Sequence, residues 1–226
     1  MKKTFTKESL LIFNCFKHLS PTELNQAWDS GALKSAGKFE TFFSEGEPCS
    51  KIFFLLDGCV KIYTCEEEEK EHISCLIHPY TIFGECCLMG GNLSGFSAQS
   101  IDDENVYFEI DQENFILLMK QNFNFNLAVL EIIGSKIAKK EERLRNFATK
   151  DARSRIVEFL KDNAYENGRQ IGYELLVKHN LTQQDIAVFT GTSRQTVTTV
   201  LNDMKSKNQI YLKRKSILIR DVAKLY

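Results

Sequence analysis

The stretch from Thr182 to Met204, TQQDIAVFTGTSRQTVTTVLNDM, limits the possible folds of this chain more than any other. Thr182, followed three residues on by Asp185, is a helix-start signal. Ile186, Ala187 and Phe189 give the helix an inner face, and Ala187 is small enough for a second helix to approach closely. Gly191 falls at the corner, where a left-handed backbone costs least without a Cβ. Thr192-Ser193-Arg194-Gln195 restarts a helix. Val197, Val200, Leu201 and Met204 then recur at helical spacing and face inward. That leaves Arg194, Gln195, Thr198, Thr199 and Asn202 outward, side chains able to meet base edges or phosphates. A pair of short helices can be ordinary packing. Here the caps, the glycine corner, the small inner residue and the polar outer face share one register, which favours a DNA-reading helix-turn-helix.

Charge supports that reading. The net charge is −1. Residues 151–226 nevertheless carry 13 Lys+Arg against 8 Asp+Glu, and residues 1–150 carry 16 against 22. A basic C-terminal part beside an acidic N-terminal part suggests one end for nucleic acid and one for something else. The apolar share of 43% and charged share of 26% are those of a soluble globular protein. No run approaches the ~20 apolar residues that span a bilayer, so no membrane association is expected. MKKTFTKESLLIF lacks a continuous apolar core and a cleavage site, and a cytoplasmic protein is expected. The seven cysteines, Cys15, Cys49, Cys59, Cys65, Cys75, Cys86 and Cys87, include no C-x-x-C pair. Their odd number and β-prone surroundings point to reduced thiols, most of them small buried hydrophobes.

The rest of the chain divides by period. Residues 8–31 read as helical, with Ser20-Pro21-Thr22-Glu23 as a start signal and Gly31 as a stop. From Ala32 to Ile110 short β-prone runs follow: Phe39–Phe43, Ile52–Leu56, Val60–Cys65, His72–Ile77, Phe96–Ile101 and Val106–Ile110. Turn formers separate them, among them Asp57-Gly58, a solvated acidic tip at Glu66–Glu69, and Gly90-Gly91-Asn92. This pattern implies a small barrel or sandwich. Asp111 caps a return to helix, and residues 122–149 form one helix on the order of 40 Å long at ~1.5 Å per residue. Leu130, Ile133, Ile137, Leu144 and Phe147 step by threes and fours along it as a seam, with Lys140 interrupting. Leu127, Val129 and Ile132 supply a second apolar face, so one side is expected to meet the chain's own domain and the other a second copy. A helix from Asp151 to about Tyr165 and a strand at Tyr173–Val177 precede the helix-turn-helix. Two β-prone runs around Lys213, Arg214 and Lys215 then read as a winged hairpin whose basic tip meets phosphates. A solvated basic turn is the plainer reading of that tip.

Taken together, a β-roll, a long helix and a winged helix-turn-helix resemble the Crp/Fnr family of bacterial transcription regulators. The resemblance covers nearly the whole chain. It is carried by Phe53-Phe54-Leu55-Leu56-Asp57-Gly58, by Ile82-Phe83-Gly84-Glu85, by residues 151–156 and, most specifically, by Gly191-Thr192-Ser193-Arg194-Gln195-Thr196-Val197. It implies that Arg194 reads guanine. Gln195 stands where Glu is frequent and Thr199 where a later Arg is found, so the family's best-known half-site is not implied. Arg194 can fork onto guanine O6 and N7 and Gln195 onto adenine N6 and N7, each worth ~1–3 kcal/mol of discrimination.

The effector is the harder question. Cyclic-nucleotide members have an Arg-Ser pair after Gly-Glu. Here Gly95-Phe96 takes that place, and an anionic phosphate would lose its charge-assisted partner. That argues against cAMP despite Gly84 and Glu85. A [4Fe–4S] cluster needs about four thiolates, and only Cys15 lies in the N-terminal region where the oxygen-sensing members hold theirs. The carbon monoxide sensors of the family share a very similar recognition helix and place an axial haem histidine near Cys86. A haem held by Cys86 or Cys87, with His72 and His78 near in sequence, is therefore an alternative; two small residues in a turn is the blander one. The chlorophenol-sensing members resemble this chain at Gly90-Gly91-Asn92 and place a lysine near Lys136. A lysine beside an apolar pocket suits an organic anion, whereas a lysine on a helix flank is usually just solvated. A vicinal Cys86-Cys87 thiol sensor is a further option.

The expectation is thus an α+β protein with three parts. Residues 1–120 form an effector-sensing, cyclic-nucleotide-binding-like β-roll, residues 121–149 a dimerisation helix, and residues 150–226 a winged helix-turn-helix. The expected function is a homodimeric regulator that reads palindromic double-stranded DNA under a small organic effector, with RNA polymerase left open as a further partner. Gly84, Glu85, Cys86, Phe96, Lys136 and Lys140 are its candidate effector residues. Arg194, Gln195, Thr198 and Thr199, the caps Thr182 and Ser193, and Lys213, Arg214 and Lys215 are its candidate DNA residues. The alternative is a haem- or thiol-based sensor module whose output is not direct DNA reading. An enzyme is the weakest reading: there is no P-loop, nucleophile elbow or His-Glu-x-x-His spacing, and no catalytic or metal-binding residue is expected.

Overall fold

The structure, a computed structural model, describes residues 4–65, 71–88, 93–179, 181–213 and 215–226. The acidic tip at residues 66–69, the turn at residues 90–92 and Arg214 fall outside the described residues. The chain divides into two compact units, one from residues 1–64 and 75–140, the other from residues 65–74 and 141–226.

The first unit is a β-roll of two four-stranded sheets. One runs in the order β1 (Gly31–Gly37), β8 (Glu104–Asp111), β3 (Lys51–Asp57), β6 (Thr81–Phe83). The other runs β2 (Thr41–Phe43), β7 (Ser97–Ser100), β4 (Val60–Cys65), β5 (Glu71–Ile77). The paired strands are antiparallel, with β3 set against both β8 and β6. Ile52 to Leu56 are all buried, so β3 reads as a continuous apolar run rather than an alternating one.

Helix α1 (Pro21–Asp29) starts as its sequence demands. Ser20 accepts from the Glu23 amide, and Glu23 accepts from the Ser20 amide at 2.7 Å. Ahead of it the expected single helix is replaced by two 3-10 turns, Lys7–Ile12 and Asn14–His18, with Phe13 extended between them. Packing overrides propensity here. Phe13 and Phe16 both turn inward, with ring centroids 5.1 and 4.8 Å from that of Phe54. Phe115 and Phe125 extend the aromatic cluster through α2 (Gln112–Gln121) and the start of α3 (Phe123–Thr149). Edge-on contacts of this kind add ~0.5–1.5 kcal/mol each beyond area burial.

Helix α3 has the expected two faces, though not with the expected membership. Val129 is buried, and Ile132 and Ile133 pack against the first unit's core. Leu127, Leu130, Ile137 and Leu144 are exposed by 42, 54, 52 and 69%. Ile133 therefore lies on the domain side and Leu127 on the open side, the reverse of their expected places. Phe147 is 37% exposed and faces Gly191.

The second unit holds α4 (Ala152–Asn167), α5 (Gln183–Thr190) and α6 (Arg194–Ser206). They pack with a sheet in the order β11 (Ile210–Lys213), β12 (Ser216–Ile219), β10 (Glu174–Lys178), β9 (Arg169–Ile171). Among the described residues no helix is long and apolar enough to cross a membrane.

Candidate nucleic-acid interface and effector cleft

Helix α5 begins with a reciprocal cap. The Asp185 amide donates to Thr182 Oγ1 at 3.1 Å, and the Thr182 amide donates to Asp185 Oδ2 at 2.7 Å. Gly191 ends it in the left-handed region, φ 60°. A Cβ there would lie 2.6 Å from the Phe147 ring. Gly191 is thus required twice, by its dihedral and by the close approach of Phe147. Phe147 thus packs on the helix-turn-helix corner while staying 37% exposed. Ser193 caps α6 by accepting from the Thr196 amide at 3.1 Å.

Val197, Val200, Leu201 and Met204 are buried, and Arg194, Gln195, Thr199 and Asn202 are exposed. The outward row of α6 is therefore polar and open. Thr198 differs: its Oγ1 lies 2.6 Å from Gln183 Oε1 and 2.9 Å from the Arg194 carbonyl, so it joins the two helices. Thr182 and Ser193 sit at the N-termini of α5 and α6, where free backbone amides favour an anion. Lys213 ends β11 and Lys215 precedes β12 at the hairpin tip.

Two arginines hold this unit together: Arg155, inside the 151–156 segment that carries the resemblance, and Arg143, which no sequence signal marks. Arg155 on α4 donates to the carbonyls of Thr190 at 2.8 Å, Gly191 at 3.0 Å and Lys150 at 2.7 Å. A cation on the last carbonyls of α5 offsets orphan acceptors and the negative end of the helix dipole. Arg143 lies 3.7 Å from the Phe189 ring centroid and donates to the Phe189 carbonyl at 2.6 Å. A fixed fork of donors explains why arginine suits both places.

The candidate effector residues separate into two groups. Lys136 Nζ lies 2.7 Å from Glu85 Oε1 and 2.5 Å from the Ile82 carbonyl. Both side chains line an apolar cleft with Ile52, Ile82, Leu88, Phe115, Val129, Ile132 and Ile133. Its cavity is about 10 Å³, room for roughly one water. Gly84, Cys86, Phe96 and Lys140 are not part of this lining. Gly84 has φ 85°, and a Cβ on it would meet the Lys51 carbonyl at 2.7 Å, so its role is the turn that presents Glu85. Lys140 stands 5.7 Å over the half-exposed Phe96 ring, and these two pair with each other. The neighbouring Cys49 thiol and burial push the Cys86 thiol well above the usual range. The apolar lining was not anticipated, because residues from β3, β6, α2 and α3 meet only in the fold.

Among the described residues no group of three or more His, Cys, Asp or Glu side chains is arranged to hold a metal ion.

Comparison with known proteins joins the two halves. A cyclic nucleotide-binding domain model matches residues 33–122, and a Crp-like helix-turn-helix domain model matches residues 154–226. The chain is 28% identical over 185 residues to the CRP-like cAMP-activated global transcriptional regulator of Mycobacterium tuberculosis, covering 82% of each chain. It is 28% identical over 181 residues to the global nitrogen regulator of Nostoc sp., covering 80% of this chain and 81% of that one. In fold it is similar to FixK2 from Bradyrhizobium japonicum, with a TM-score of 0.77 at 16% identity over 86% of this chain and 95% of that one.

Proposed function

This chain belongs to the Crp/Fnr family of DNA-binding transcription regulators, and from that premise we propose that it acts as a homodimer, reads a two-fold palindrome and answers to a small organic anion rather than cAMP. The observation that carries the reading is the outward row of α6, where Arg194, Gln195 and Thr199 stand exposed on a helix fixed by its own buried face. Arg194 is the guanine reader, Gln195 an adenine reader. Thr182, Ser193, Lys213 and Lys215 contact phosphates, and Thr198 holds α5 against α6.

Dimerisation is supported by the open stripe of Leu127, Leu130, Ile137 and Leu144. Their steps of three, seven and seven residues keep to a heptad and suit a two-stranded seam, and two-fold pairing gives each recognition helix one half-site. The effector reading rests on Glu85 and Lys136. An anion entering the apolar cleft takes over the lysine from Glu85, and desolvation strengthens the new pair. Gly95-Phe96 offers no cation to a cyclic phosphate. The effector then shifts the population between two arrangements of the dimer.

Selection of random duplexes by the purified protein, with and without a panel of organic anions and cAMP, tests this directly. A palindrome with guanine in each half is expected, sharpened by an anion and not by cAMP. Arg194→Ala should erase preference at that one position, a loss of ~1–3 kcal/mol per half-site, and leave the fold intact. Undiminished discrimination between specific and scrambled DNA would remove the recognition-helix assignment.

A further inference from the structure

The second unit takes in residues 65–74 as well as residues 141–226. It therefore holds the first part of β5 together with the helix-turn-helix, and Arg143 on α3 touches both. Arg143 Nη1 donates to the Ser74 carbonyl. Its Nη2 donates to the carbonyls of Ile73 at 3.3 Å and of Phe189 at 2.6 Å. The guanidinium carbon stands 3.7 Å from the centroid of the Phe189 ring and 5.5 Å from that of Phe147. Phe189 lies two residues before Gly191 and packs on Phe159 of α4, with ring centroids 5.0 Å apart.

A guanidinium is a rigid planar fork. Hydrogen bonds from its nitrogens and a ring against its face fix both the distance and the tilt of Phe189 relative to Ile73 and Ser74. Lysine supplies the charge but not the plane. Capping of α5 does not explain the arrangement, because Arg155 already holds the carbonyls of Thr190 and Gly191. What Arg143 adds is the reach to β5. That strand is the edge of its sheet, where backbone groups are open to other donors.

We propose that Arg143 is a positioning residue for DNA reading: it latches β5 to α5, so that a change in β5 turns the helix-turn-helix and DNA on α6 in turn steadies β5. The path runs from Ile73 and Ser74 through the guanidinium to Phe189. It passes from α5 to α6 where Gln183 Oε1 and Thr198 Oγ1 lie 2.6 Å apart. Residues 75–77 continue the same strand into the first unit, so β5 carries a signal by chain continuity. Coupling of this kind is reciprocal, and the effect of DNA on β5 measures it without knowledge of the effector. The latch rests on DNA binding alone, not on the palindrome or the anion.

The test is hydrogen–deuterium exchange on the full-length protein, with and without a long mixed-sequence duplex at low salt. In the wild type, DNA should slow exchange in a peptide over residues 194–206 and also, by about fivefold or more, in one over residues 71–77. In R143A the protection of residues 194–206 should remain and that of residues 71–77 should vanish. R143K keeps the charge and should still lose most of the transmitted protection, which separates the latch from plain electrostatics. Its DNA affinity should fall at least about fivefold, ~1 kcal/mol, with the salt dependence unchanged. If circular dichroism shows R143A unfolded, F189L removes the stacked ring while keeping the backbone carbonyl and should weaken the transmitted protection. Wild-type protection confined to residues 194–206 would overturn the latch, and so would full protection of residues 71–77 in R143A, or in R143K and F189L together. Absence of protection at residues 194–206 in the wild type would sink DNA reading by α6, and the latch with it.

Discussion

Arg194 and Lys136 are both long cations on helices, yet they stand in opposite conditions. Arg194 is exposed at the start of α6, and its guanidinium has no protein partner among the described residues. Lys136 is engaged twice over, by Glu85 and by the Ile82 carbonyl, beside a cavity of about 10 Å³. In the second unit the polar row is ready for a ligand already. In the first, the proposed effector would have to break an ion pair and open a closed cleft. A preformed surface gives affinity without reorganisation, and a closed one makes affinity depend on which state is populated. The contrast suits a molecule whose reading head is constant and whose control lies elsewhere.

The sharpest way to break the contrast is to deform the preformed surface. Gly191→Ala places a Cβ at φ 60° and 2.6 Å from Phe147. The left-handed backbone costs ~1–2 kcal/mol and overpacking another ~1–3 kcal/mol. Calorimetry should show the second unit destabilised by roughly 2–5 kcal/mol, with DNA binding falling in step. A native-like transition would mean that Phe147 yields freely, and the surface would then be less rigid than its packing implies.

Arg155→Ala probes the same surface more gently. It strips three carbonyl oxygens, those of Lys150, Thr190 and Gly191, of a charged donor. Hydrogen bonds to charged groups contribute ~1.5–3 kcal/mol, and exposed acceptors recover part of that from water. A loss of about 1–3 kcal/mol in denaturant unfolding is expected, with only partial rescue by lysine, which has no fork of donors.

These two residues also mark what the sequence could and could not disclose. Gly191 was legible because its signals are local: a cap nine residues before it, an apolar period on either side, a small residue facing inward. The strands at Val60–Cys65 and the wing were legible for the same reason. Strand β1, GALKSAG, was not, since only Ala36 is buried in it and no β-branched residue marks it. It is a strand because β8 pairs with it residue for residue from Gly31 to Gly37. Arg155 lies in the 151–156 segment that carries the resemblance, but its partners at the end of α5 come only from the fold. The effector residues divide similarly. Glu85 and Lys136 were both named, but their pairing, and the cleft residues Ile52, Leu88 and Phe115, exist only across the fold. Gly84, Cys86, Phe96 and Lys140 were near in sequence or in helical phase, which is a weaker guide than a shared cavity.

Lys136→Met sharpens the contrast from the other side. It removes the cation and keeps much of the apolar stem. Glu85 is one-third exposed, so water screens the loss and stability should fall by only about 1 kcal/mol. An anion that sharpens the selected palindrome should bind about tenfold more weakly, ~1.4 kcal/mol, while DNA binding without it persists. Fluorescence or calorimetric titration of that anion decides the point. An undiminished affinity would place the effector away from Lys136.

The smallest effect concerns a carboxylate in the first unit that resembles Glu85 in pairing but not in surroundings. Glu109 on β8 is 7% exposed and lies 2.8 Å from Lys34 and 2.5 Å from Lys51. Burial works to raise its carboxyl, yet the two ammonium groups prevail and hold it below the usual carboxylate range. A depressed folded value means that the stabilisation is present above the unfolded value of ~4.3 and is lost as pH falls through the folded one. The first unit should therefore weaken on acidification below about pH 4.3, and Glu109→Gln should flatten that limb. Both lysines are more than one-third exposed, so the cost at neutral pH is about 1 kcal/mol or less. Glu109 is held by two cations that nothing displaces, whereas Glu85 shares a single lysine with a cleft. If thermal unfolding of Glu109→Gln followed the wild-type acid limb unchanged, the pair would be ordinary surface charge, and ion pairing alone would no longer distinguish a fixed site from a switchable one.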